Sequence, residues 1–175
     1  MTLTSRVRRF ALTVHITVSV GWIGAVVAFL VLVLAAMTTQ DAGTLHGAWV
    51  AMALTGWFAI VPLAIASLMT GLVMSLGTRW GLFRHYWTLL SFVLTVGATA
   101  ILLGNMQTVS LFAVKAGSDG ADVADLRGGL PGELLHAGAG LVVLLVIQVL
   151  NVYKPPGMTR YGRRMQRLHP DAGER

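Results

Sequence analysis

Five histidines stand at positions 15, 46, 85, 136 and 169 of a 175-residue chain. His169 falls in a basic tail, but His15, His46, His85 and His136 fall one to each of four long apolar runs, each at or near that run's N-terminal end. A polar ring near a bilayer core is costly and calls for a partner. A b-type haem is one such partner: its iron takes a neutral imidazole nitrogen from each side and needs no covalent attachment. If neighbouring runs are antiparallel helices, His15 and His85 lie toward one face and His46 and His136 toward the other. That arrangement offers two bis-histidine pairs at two depths, room for one or two haems. From the helical rise, His15 is expected roughly one to two turns inside Arg9, and His136 about one turn inside the acidic connection before it.

The neighbours of these histidines fit unevenly. The stretch HAGAG places Gly138 and Gly140 beside His136, where a flat macrocycle or another helix can come close. Trp22 follows His15 by two helical turns, and steps along the His46 face bring up Ala53, Trp57, Ala64 and Gly71. Trp22 and Trp57, near mid-depth, would then line the gap between two haems. The stretch RWGLFRHYW, residues 79–87, is expected to form an interfacial belt of Trp80, Phe83, Tyr86 and Trp87. There Arg84 is placed to pair with a haem propionate while His85 turns inward to iron. A plainer reading makes it a short loop whose arginines set topology. Copper or zinc is the other metal option, with Asn105, Met106 and Gln107 as additional donors, because two imidazoles alone leave such a site incomplete. Otherwise Gln107 and Gln148 bond across helices and Met106 is packing.

The elements that must hold these residues are set by composition. Hydrophobic residues make up 55% of the chain and charged residues 11%, well under the charge content usual in soluble domains. Four runs are long enough to cross a bilayer: about 10–37, 47–76, 85–114 and 134–153, the first three longer than needed. The expected fold class is therefore all-α, an integral membrane four-helix bundle running up-down-up-down over residues 1–153, with a basic tail at 154–175. The first run is too long for the core of a cleaved signal and reads as a retained anchor. Arg6, Arg8 and Arg9, then Arg79 and Arg84, then Lys154 and the arginines of the tail all fall on one side of that topology. The connections on the other side hold only Lys115 and Arg127 among Asp41, Asp119, Asp122, Asp125 and Glu133. Both termini and the middle loop are accordingly expected in the cytoplasm of a bacterial inner membrane, with the tail against anionic lipid headgroups. The connection 117–132 reads as a flexible outer loop, and PGELLH as the start of the fourth helix, with Pro131 in its first turn. KPPG ends that helix. The net charge of +6 is explained by this topology, with no nucleic-acid partner.

At HITVSVGWIGA, WGLFRHYW, LHAGAG and YKPPGMTRYG the chain resembles an uncharacterised family of small four-span bacterial membrane proteins, seen mostly in actinobacteria. The resemblance covers nearly the whole chain. It implies a four-helix integral membrane protein and carries no established activity. It attaches to the His15, His85 and His136 segments more readily than to the His46 segment, which implies a single haem on His15 and His85.

Several chemistries have no residues here. There is no cysteine, hence no disulfide, iron–sulfur cluster or c-type haem attachment. Every Asp and Glu reads as lying in a loop or the tail, so proton-coupled export through an embedded carboxylate is not expected. No hydrolase or phosphate-loop motif is present. The functional expectation is a b-type haem-binding membrane electron-transfer protein with bis-histidine ligation, exchanging electrons with quinone or a redox partner protein. The alternative is a cofactor-free scaffold or accessory subunit of a homo- or hetero-oligomer, packed through Gly21, Gly24, Gly56 and Gly71. A third, weaker option is a small-molecule transporter with a pocket at a kink near Pro62.

Overall fold

The computed structural model describes residues 4–77, 83–118 and 122–168; Arg79, Trp80, Asp119 and His169 lie outside them. The chain forms α1 (Ser5–Thr38), α2 (Ala42–Thr55), a π-helical turn (Gly56–Ile60), α3 (Val61–Gly77), α4 (Tyr86–Ala116), α5 (Val123–Tyr153) and α6 (Arg160–Leu168). Among the described residues four helices are long and apolar enough to cross a membrane: α1, α2 to α3 read as one, α4 and α5. Their mean hydropathies are 2.6, 2.1, 1.9 and 2.1. The chain is thus an all-helical four-helix bundle of the multi-pass membrane type. We call the end where α3 stops and α4 begins the tail end, and the opposite end the far end.

Large residues cover the outside of the bundle, among them Phe10, Phe58, Val114 and Leu135, as expected where the solvent is lipid. The interior is held by close packing and by polar contacts between helices, the two forces available when tails outside are as apolar as the core. Trp49 is fully buried. Its indole N–H donates to the Leu126 carbonyl at 3.2 Å, and its ring stacks on Phe112 with centroids 4.6 Å apart. Such a pair contributes about 0.5–1.5 kcal/mol beyond the area it covers.

The second span does not keep one α-helical register. Pro62 has no N–H to offer the Phe58 carbonyl. The turn before it is widened, so that Val61 N–H reaches the Gly56 carbonyl, five residues back. The buried residues of this span are Leu45, Ala48, Trp49, Met52, Gly56, Ile60, Val61, Ala64, Ser67 and Ser75. Trp57, expected on the His46 face and between the haems, is instead 43% exposed, with its N–H on the Ser110 hydroxyl at 2.9 Å. The face that runs from His46 through Val50, which is 40% exposed, is turned largely outward rather than to the core.

The fourth helix corrects a second expectation. It begins at Val123, well before Leu134, so residues expected in a flexible loop are helical and Pro131 is interior. Asp122 caps it, accepting from the Ala124 N–H at 2.9 Å. Leu126 and Leu130 are 1% and 2% exposed, one turn apart on the inward face, and Arg127 donates to the Thr39 carbonyl at 2.7 Å. Burial and these long-range bonds outweigh the Gly-Gly and Pro that mark a loop locally.

Beyond α5, Lys154 adopts a left-handed conformation at φ 45° and turns the chain back. Thr159 N–H then donates to the Arg84 carbonyl at 3.0 Å and Tyr86 N–H to the Gly157 carbonyl at 3.3 Å. His85 and Met158 form an isolated antiparallel bridge. The tail is therefore docked on the segment that leads into α4.

Candidate functional site

At the tail end, α1, α3, α4 and α5 enclose a cavity of about 650 Å³, within the size range of ligand sites. His15 is on its wall. The His15 Nδ1 and Thr70 Oγ1 atoms are 2.9 Å apart, and the Thr70 hydroxyl itself donates to the Ala66 carbonyl at 2.7 Å. With its proton so used, the Thr70 oxygen accepts from His15 Nδ1–H. That assignment leaves Nε2 carrying the lone pair, the arrangement in which imidazoles bind metals. Gly71 makes the close approach possible, since a Cβ there would sit 3.3 Å from His15 Cε1. One turn deeper, Ser19 and Ser67 join α1 to α3 through hydroxyls 2.9 Å apart.

The opposite walls carry hydroxyls and amides from α4 and α5, including Thr95, Gln148 and Asn151. Thr88 and Ser91 also line the cavity. They are 9% and 6% exposed, and their hydroxyl oxygens are buried without a hydrogen-bond partner among the described residues. Buried hydroxyls left in this way are free to bond water or a bound group. Arg8, Arg9 and Lys154 line the same cavity, giving it a cationic rim.

The other histidines are placed differently. His85 is the N-cap of α4; its ring lies 6.4 Å from that of Trp87, tilted by 45°. Trp87 lines the cavity, whereas His85 and Arg84 do not. His15 is about three turns into α1. The structure thus does not bring His15 and His85 into one cavity, because His85 is held at the helix start by the docked tail. His46 sits at the first turn of α2 with Nε2 buried and unpartnered among the described residues. His136 lies roughly three to four turns into α5 rather than one turn from its start. It lines a second cavity from which His46 is absent. The early start of α5 accounts for that difference in level. Of the further donors, Met106 is core, 1% exposed, Gln107 is exposed, and Gln148 faces the tail-end cavity.

One buried polar residue escaped the sequence reading. Glu133, assigned above to a loop, lies inside α5 and is 3% exposed. The Asn105 side-chain amide donates to it at 2.8 Å. A buried carboxyl therefore does stand within a helix of membrane-crossing length, and its absence no longer counts against proton chemistry. Its spacing from Leu126 and Leu130, all on one helical face, was the signal available.

Among the described residues no cluster of three or more His, Cys, Asp or Glu side chains is disposed to hold a metal ion. No family model, no curated protein and no solved structure matches the chain.

Proposed function

We propose that the tail-end cavity holds a single b-type haem with His15 on its iron, and that the protein is a membrane electron-transfer component. The observation that supports this best is the His15–Thr70 bond at 2.9 Å, which fixes the ring and leaves Nε2 as donor beside a cavity of about 650 Å³. The remaining walls suit the group. Arg8, Arg9 and Lys154 supply the cations that charge-assisted contacts to propionates require, and Thr88 and Ser91 supply hydroxyls without other partners among the described residues. When bound, the haem would supply one-electron chemistry; the chain would supply the ligand, the hydroxyl-bearing walls and the cationic rim.

With His85 outside this cavity, His15 would be the one imidazole to hold the haem, and Thr88, Ser91, Thr95, Gln148 and Asn151 would line the walls around it. The concentration of arginine and lysine at the tail end favours that end facing the cytoplasm of a bacterial inner membrane, with the haem near that surface.

Visible spectroscopy of protein purified from haem-replete cells tests the proposal. The expected result is a reduced-minus-oxidised haem spectrum that carbon monoxide perturbs, as a haem held by a single imidazole would show. His15→Ala should abolish it and His85→Ala should leave it intact. A spectrum insensitive to carbon monoxide and lost with His85→Ala restores bis-histidine ligation. A colourless preparation removes the haem proposal and leaves the cofactor-free scaffold.

A further inference from the structure

We infer that the second cavity, in the far half of the bundle, binds the head of a membrane quinone or quinol. The cavity has a volume of about 310 Å³ and is walled by α1, α4 and α5, with Ile60 from the widened turn. Trp22 and Phe29 give it flat aromatic surface, and Gly132 and Gly140 give it room. A Cβ at either glycine would meet nothing within 4 Å.

Its polar groups are few and convergent, as in small-molecule sites. They are Asn105 on α4 and His136 on α5. Glu133 accepts from Asn105 Nδ2 at 2.8 Å, which turns the amide nitrogen to the carboxyl and leaves Oδ1 as the acceptor. Among the described residues no hydrogen bond reaches that oxygen or either ring nitrogen of His136. Glu133 thereby acts as a positioning residue for Asn105. A buried carboxyl is a costly way to join two helices where a neutral amide would serve, and this cost points to a use for the orientation it imposes.

The occupant follows from what would satisfy these walls. An acyl chain fits the apolar surface but leaves the imidazole and amide unpaired. A flat ring bearing oxygens pairs both: a quinol hydroxyl donates to Asn105 Oδ1 or to the imidazole, and a quinone carbonyl accepts from the imidazole N–H. Entry is from the lipid phase, because Ile101 and Leu135, which line the cavity, are 61% and 75% exposed on the apolar outer surface. The inference does not depend on the haem at the tail end.

The test is photolabelling of the full chain in detergent with an azido-substituted decyl-benzoquinone. Adducts are expected on peptides spanning residues 98–106 or 132–144, displaced by unlabelled decyl-benzoquinone and not by decylbenzene. His136→Leu and Asn105→Leu should each weaken displacement about tenfold, the loss of one buried hydrogen bond. Asn105→Leu also strands Glu133 and can unfold the chain, but His136→Leu breaks no existing bond and keeps the test decisive. Adducts elsewhere, equal displacement by decylbenzene, or unchanged affinity in His136→Leu each overturn the assignment. His15→Ala should leave the labelling unchanged, so failure of the haem proposal is read separately.

Discussion

Asp41 starts α2 with one carboxylate oxygen, which accepts from the Thr44 hydroxyl and the Thr44 N–H, both at 2.7 Å. The hydroxyl and then the amide of Thr44 hold this exposed carboxyl below its ordinary value. A lowered folded value means that the cap stabilises fully above the ordinary carboxylate range, and that this is lost as pH falls through the lowered value. Hydrogen exchange at Thr44 should therefore show protection that disappears on acidification in the wild type. In Asp41→Asn, which keeps a capping oxygen, protection should not change with pH; an unchanged acid transition there rules out Asp41 as its source. At this same scale the candidate site was half legible. His15 stood out as a polar ring in an apolar run, whereas Thr70, which orients it, is far away in sequence, and no local pattern links them. Glu133 was hidden by its charged and glycine-rich neighbours.

At the scale of elements, the contact between α4 and α5 turns on Gly129. A Cβ there would lie 2.8 Å from Phe112 Cζ, and that ring cannot retreat because it is stacked on Trp49. Gly129→Ala gains helix propensity of about 1 kcal/mol, but overpacking of this kind costs about 1–3 kcal/mol. Net destabilisation is expected in reversible unfolding from mixed micelles. Combining it with Phe112→Leu should recover part of the loss, a coupling that a double-mutant cycle measures; strict additivity would show that the two residues do not meet. The four spans were legible because length and apolarity alone define them. The first turns of α5 were not, since Leu126 and Leu130 become helical through burial against α2 and α4, a cause absent from the local sequence.

For the whole molecule, the docked tail links the C-terminal segment to the start of α4 and, through Lys154, to the tail-end cavity. Gly162 packs against the Arg84 carbonyl so closely that a Cβ would overlap it, and backbone cannot swing aside. Gly162→Ala should release α6 and speed tryptic cleavage at Arg160 and Arg163 several-fold. Cleavage at the wild-type rate would mean that the tail is held elsewhere. The widened turn at Gly56–Ile60 has a different reach. A residue added to a helix rotates everything beyond it by about 100°, so the two halves of the second span present sides that a regular helix would set at odds. Deleting one residue there would straighten the rod yet swing either Trp49 and Met52 or Ala64 and Ser67 out toward lipid. The turn works as a phase-shifting joint, through which one rod keeps Trp49 in the core on one side of it and turns Ser67 and Gly71 to the tail-end cavity on the other.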